Sequence, residues 1–87
     1  MSYVYVLRCA DGSLYIGATD NLEARLLKHN EGKASAFTAE RRPVVLAYSE
    51  QCANRTGALQ RERQLKGWTR AKKEALIAGD RELLRKL

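Results

Sequence analysis

Ser2-Tyr3-Val4-Tyr5-Val6-Leu7-Arg8, then Cys9-Ala10-Asp11-Gly12, then Ser13-Leu14-Tyr15-Ile16-Gly17-Ala18 is the stretch on which the fold turns. Both outer runs are dense in β-branched and aromatic residues and Asp-Gly between them is a turn signal, so the segment predicts a β-hairpin. Loop length then decides which side chains share a face. A two-residue Asp11-Gly12 turn pairs Cys9 with Leu14 and sends Tyr5 and Tyr15 to opposite faces. A three-residue loop Ala10-Asp11-Gly12 pairs Leu7 with Tyr15 and Tyr5 with Gly17, and both phenols point the same way. The longer loop is preferred, because Gly12 falls where it needs positive φ.

Beyond the hairpin, Asp20 followed by Glu23 resembles a capping box and Gly32 is a stop signal, so residues 21–31 predict a helix with Leu22 and Leu26 on its buried stripe. Arg25 and His29, four apart, fall beside that stripe at the border of core and solvent. Residues 33–43 show no period and end in Pro43, which predicts a loop with short turns; residues 44–50 predict a third strand. Asn54 caps a helix over 55–66 that stops at Gly67, Thr69 caps another over 70–78, and Asp80 caps a short last one carrying Leu83, Leu84 and Leu87. The order β-β-α-β-α-α is an α+β arrangement, a small three-stranded sheet flanked by helices, expected to form a single domain over residues 1–87.

Composition narrows the function. The chain has 87 residues, 45% hydrophobic and 30% charged, a globular balance with room for one modest core. No apolar run approaches the ~20 residues of a membrane span, no export signal is visible, and the expected address is the cytoplasm, with no membrane partner. Cys9 and Cys52 are too few and too distant for a disulfide framework or a zinc knuckle. Sixteen Lys and Arg against ten Asp and Glu give a net charge of +6. Residues 1–43 hold six basic and five acidic side chains and residues 44–87 hold ten and five. That excess favours a polyanionic partner, nucleic acid first.

One His and two distant Cys cannot build a zinc site, no glycine-rich phosphate loop follows a strand, and no Ser sits in a nucleophile elbow. What remains is Tyr5 and Tyr15 on one sheet face, Arg25 and His29 on one helix edge, and Glu62 on the inward stripe of the 55–66 helix with Ala58 and Leu65. A carboxylate there is costly unless it is paired or binds a cation. Phosphodiester hydrolysis uses all of these groups: a base for water, positive charge on the non-bridging oxygens, and a carboxylate able to hold Mg²⁺ through its remaining waters. Taken singly each residue has an ordinary explanation. The tyrosines fit half-buried strand positions, Arg25 a solvated helix face, His29 a helix end, Glu62 an ion pair with Arg25 or Arg61, and Trp68 a lid on the core.

In order and spacing, Tyr3-Val4-Tyr5, Tyr15-Ile16-Gly17, Arg25 with His29, and Glu62 on a later helix resemble the GIY-YIG nuclease domain. The resemblance covers nearly the whole chain. It is closest to small stand-alone bacterial members, through His29-Asn30-Glu31-Gly32, Arg42-Pro43, Leu65-Lys66-Gly67-Trp68 and Arg70-Ala71-Lys72-Lys73. It implies a metal-dependent endonuclease using Mg²⁺ or Mn²⁺ on nucleic acid, DNA before RNA. It further implies that Glu62 anchors the cation, Arg25 holds the scissile phosphate, Tyr5 and Tyr15 flank the attacking water with one of them as general base, and His29 orients or relays a proton to a tyrosine. Gly17 would permit close backbone approach beside the cation. Two departures stand out: the first triplet lacks its leading Gly, and Ala18 replaces a Lys that several family nucleases carry.

Without an attached recognition domain, sequence specificity is expected to be low. Phosphate contacts are expected from Arg41, Arg42, Arg61, Arg63, Lys66, Arg70, Lys72 and Lys73. Two other outcomes follow from the same residues: a nucleic-acid-binding module of this fold without turnover, and a basic surface that docks an acidic protein.

Overall fold

A computed structural model describes residues 1–87. It contains β1 (Ser2–Arg8), β2 (Leu14–Thr19), α1 (Leu22–Asn30), α2 (Ala36–Ala39), β3 (Val45–Cys52), α3 (Arg55–Lys66), α4 (Arg70–Ala78) and α5 (Arg81–Lys86). The expected β-β-α-β-α-α order holds, with α2 inserted before β3 and α5 at the end. The sheet runs β2-β1-β3, antiparallel throughout, so β1 is central and β2 and β3 are edges. Leu7 pairs with Tyr15 and Tyr5 with Gly17. Gly12 has φ +85°, and the Cys9 amide donates to the Ser13 carbonyl at 2.9 Å, closing the three-residue loop.

A central strand is covered on both faces, and β1 shows it. Val4 and Val6 with Ile16 pack against Ala58 and Leu65 of α3, while Tyr5, Leu7, Cys9 and Val44 pack against Tyr15, Leu22 and Leu26 on the α1 side. Arg8 makes a two-pronged contact with Glu74, at 2.9 and 2.7 Å, which ties α4 to the hairpin. Glu50 accepts from Tyr48 at 2.6 Å and from Arg61 at 2.8 Å, which ties α3 to β3. Both carboxyls are held below the ordinary range, that of Glu74 by the Arg8 contact and that of Glu50 by Tyr48 and Arg61 against the opposing effect of burial.

Several local expectations need correction. Asn21, not Asp20, caps α1, its side chain accepting from the Ala24 amide; Asp20 accepts instead from Ser2 Oγ at 2.6 Å. The third strand begins one residue later and extends to Cys52, since pairing with β1 carries it through Ser2↔Cys52. Residues 33–43 contain a helical turn, α2, capped by Ser35. A four-residue helix is too short to display a period.

Candidate active site

Tyr5, on β1, is 3% exposed, and its hydroxyl lies 2.9 Å from His29 Nε2. The opposite ring nitrogen, Nδ1, lies 2.7 Å from Thr38 Oγ1, and the Thr38 hydroxyl donates to the Ser35 carbonyl at 3.3 Å. With that proton committed to Ser35, the Thr38 oxygen accepts from His29 Nδ1–H, and the Nε2 lone pair accepts from the Tyr5 phenol. Both ends of the chain agree, because the Tyr5 hydroxyl has no other acceptor. His29 is 1% exposed and Thr38 0%, so His29 sits in the core rather than at its border. The turn of α2 covers it, which the α1 spacing could not reveal.

Tyr15 is half-buried. Its ring stands edge-on to His29 at 5.0 Å, 6.5 Å from Tyr5, and stacks on Phe37 at 6.1 Å. Gly17 faces Tyr5 across the ladder, and a Cβ there would stand 2.5 Å from Tyr5 Cζ. The missing side chain makes room for the phenol.

Arg25 is half-buried on α1 and joins none of the molecule's ion pairs. Burial pushes the Tyr5 hydroxyl above the usual phenol range; the neighbouring Tyr15 adds to the rise, Arg25 opposes it, and Glu62 contributes a smaller rise. Burial, then the Arg25 charge, lowers the His29 imidazolium. Near neutral pH the pair is thus a protonated phenol on an uncharged imidazole. Glu62 is inward-leaning, with 18% of its side chain exposed, and is paired with Lys66 Nζ at 2.6 Å rather than with Arg25 or Arg61. No three His, Cys, Asp or Glu side chains cluster as metal ligands. One carboxylate suits a largely hydrated Mg²⁺ or Mn²⁺ that shares substrate oxygens, and does not suit an all-protein cage.

The eight expected phosphate contacts divide. Arg41 pairs with Asp11 at 3.2 Å and covers the Phe37 ring at 3.9 Å, Arg42 donates to the Ala39 and Asn30 carbonyls, Arg61 is held by Glu50, and Arg70 by Glu74 and the Gly12 carbonyl. Lys72 lies 4.4 Å over the Trp68 ring, and Trp68 packs on the core. Lys66 holds Glu62, while Arg63 and Lys73 join no ion pair. Sequence reasoning missed Thr38; its one signal was Ser35 as a cap two residues before Phe37.

The family model of the GIY-YIG catalytic domain matches residues 1–75. Over 75 residues the chain is 52% identical to a UPF0213 protein of Bacillus pumilus, covering 86% of this chain and 76% of that protein. It is 45% identical over 78 residues to a UPF0213 protein of Natronomonas pharaonis, covering 90% and 92%. The fold is similar to the solution NMR structure of a UPF0213 protein from Bacillus halodurans, with a TM-score of 0.58, 36% identity, and coverage of 100% of this chain and 97% of that one.

Proposed function

The chain belongs to the GIY-YIG family, a nuclease family acting on nucleic acid, and from that premise we propose that it hydrolyses phosphodiester bonds, in DNA before RNA, with a divalent cation and low sequence specificity. One observation carries the reading: Tyr5, Tyr15 and His29 pack together on the α1 face, with half-buried Arg25 and Glu62 near enough for their charges to act on Tyr5. No helix of the chain is long and apolar enough to cross a membrane, and both cysteines are free thiols, in keeping with work in the cytoplasm.

Glu62, paired with Lys66 in the free chain, would hold Mg²⁺ or Mn²⁺. The bound ion supplies Lewis-acid stabilisation of phosphate charge and a more acidic water. Arg25 binds the scissile phosphate, which its lack of a protein partner leaves it free to do. Tyr5 takes the water's proton as its own passes to His29 Nε2, the imidazolium keeping its Nδ1–H on Thr38. Binding of the phosphate neutralises Arg25 and so removes one of the two effects that depress the His29 pKa. Tyr15, the less buried phenol, borders the attacking water.

Incubation of the purified chain with supercoiled plasmid and Mg²⁺ tests this. Nicking is expected, lost in Glu62→Gln and reduced about a hundredfold or more in Arg25→Ala; an RNA substrate run alongside is expected to be cut more slowly. Undiminished cleavage by Glu62→Gln would exclude the assignment. Ala18 and the Lys66–Glu62 pair favour a second reading, a binding module without turnover, which predicts salt-sensitive binding and intact plasmid under every divalent cation.

A further inference from the structure

Four hollows that share lining residues follow one another as a furrow past the free edge of β2, along the flank of α3. At the Thr19 end, a hollow of about 260 Å³ is lined by Arg25, Lys28 and Arg55 beside Ala18. A smaller hollow shares Ala18 and Arg55 with it and reaches Leu59. Leu59 leads to a third, of about 320 Å³, walled by Glu62, Arg63 and Lys66. Lys66 in turn opens on a fourth, of about 240 Å³, where Lys73 faces Leu14, Tyr15 and Phe37 at the other end of the strand. The three larger hollows are each several times the ~30 Å³ of a water, so each has room for a solvated phosphodiester group.

The furrow is basic at both ends and passes Glu62 between them. Lys28, Arg63 and Lys73 join no ion pair. Arg55 has only a 3.8 Å contact with Asp20, itself already bonded to Ser2. Lys66 pairs only with Glu62, the carboxylate assigned to a cation. By contrast Arg41, Arg61 and Arg70 are neutralised by carboxylates elsewhere. The β2 edge is uncovered by any further strand, and α3 flanks the furrow, with α1 residues lining its Thr19 end and Phe37 of α2 its other end.

We propose that a nucleic-acid strand runs along this β2 edge, gripped by Arg25, Lys28 and Arg55 on one side of Glu62 and by Arg63, Lys66 and Lys73 on the other. The identity of the polyanion and the release of Lys66 from Glu62 rest on the nuclease reading above; the path traced by Arg25, Lys28, Arg55, Arg63 and Lys73 does not. Lys28 and Arg55 enter as phosphate contacts, and Arg41, Arg42, Arg61, Arg70 and Lys72 leave the track.

Binding of a short fluorescein-labelled DNA duplex, without divalent cation, followed by anisotropy between about 50 and 200 mM salt, tests the path. Each lost phosphate contact lowers the slope of log K against log salt by about 0.9. The double variant Lys28→Gln with Arg55→Gln is therefore expected to lose close to two units of slope, and Arg63→Gln with Lys73→Gln the same. Arg81→Gln with Arg85→Gln on α5 removes the same charge off the track and is expected to leave the slope unchanged. Equal losses in all three would mean that net charge alone acts, and an unchanged slope in the first two would overturn the path. Absence of salt-dependent binding by the unaltered chain would instead remove the nucleic-acid reading.

Discussion

At the scale of residues, the proton arrangement around His29 rests on Thr38, a side chain that never meets solvent. Thr38→Val keeps the shape and deletes the acceptor for Nδ1–H, leaving a buried donor unmet at a cost of about 1–3 kcal/mol. The imidazole is then expected to exchange its Nδ1–H form for the Nε2–H form, in which it donates to Tyr5 instead of accepting. Nitrogen-15 NMR of the ring reads this directly: both ring signals should change character in Thr38→Val and return in Thr38→Ser. Turnover should fall in the valine variant with KM little changed, because the substrate-facing groups remain. A valine variant whose ring nitrogens match those of the unaltered chain would show that Thr38 does not set the tautomer. Gly17 acts on the same phenol from the opposite side, since any larger side chain there enters the space of Tyr5.

Among elements, what was legible in the sequence was whatever local chemistry decides. The hairpin loop, its register and the Asn54, Thr69 and Asp80 caps follow from Gly12 and from short polar side chains, and the structure bears them out. The α1 cap falls on Asn21 rather than on adjacent Asp20 because Asp20 is engaged by Ser2, eighteen positions away in sequence. His29 lies deeper than its helical spacing predicts for a similar reason: its cover comes from α2, whose Ala36–Ala39 turn is held by Ser35 and by contacts absent from any periodicity. Glu62 leans inward, as its spacing predicts, but its partner, Lys66, is its own helix neighbour one turn on. One inter-element tie carries a clear energetic expectation. Asn30, the last residue of α1, accepts from the Val44 amide at 2.8 Å and donates to the Val44 carbonyl at 3.0 Å, mimicking a strand partner at the entry to β3. Val44 is 2% exposed, so Asn30→Ala is expected to lower unfolding free energy by about 1–3 kcal/mol in denaturant titrations. A change within experimental error would show that water replaces the bonds.

For the molecule as a whole, net charge names a class of partner without locating it. The basic excess lies in residues 44–87, yet Arg61 and Arg70 from that half are neutralised within the fold, while Arg25 and Lys28 from the balanced half stay free. Global stability should also respond to a single imidazole. His29 faces Tyr5, Tyr15 and Thr38 and lies within the field of Arg25, and its folded pKa is lowered from 6.5. The unfolded chain therefore binds the extra proton first, so stability is complete above about pH 6.5 and declines as pH falls from there toward the folded value. Thermal melts at pH 7.5 and 5.5 should show that decline, and His29→Gln should flatten it. Glu50 and Glu74, whose carboxyls are lowered on folding, act in a separate window below about pH 4.3, where their protonation removes further stability.

The three residues between Cys9 and Ser13 act as a counter with only two readings, odd or even. Close the same residues with a two-residue turn and β2 rolls over like a ribbon: Ile16 takes the place of Tyr15 opposite Leu7, the phenol swings into the aliphatic layer, and the glycine that shelters Tyr5 is handed a neighbour's methyl instead. The same sequence would then fold around a similar core with its chemistry turned inside out, so Gly12, which alone at this tip holds a positive φ, decides from a distance which way the phenol faces.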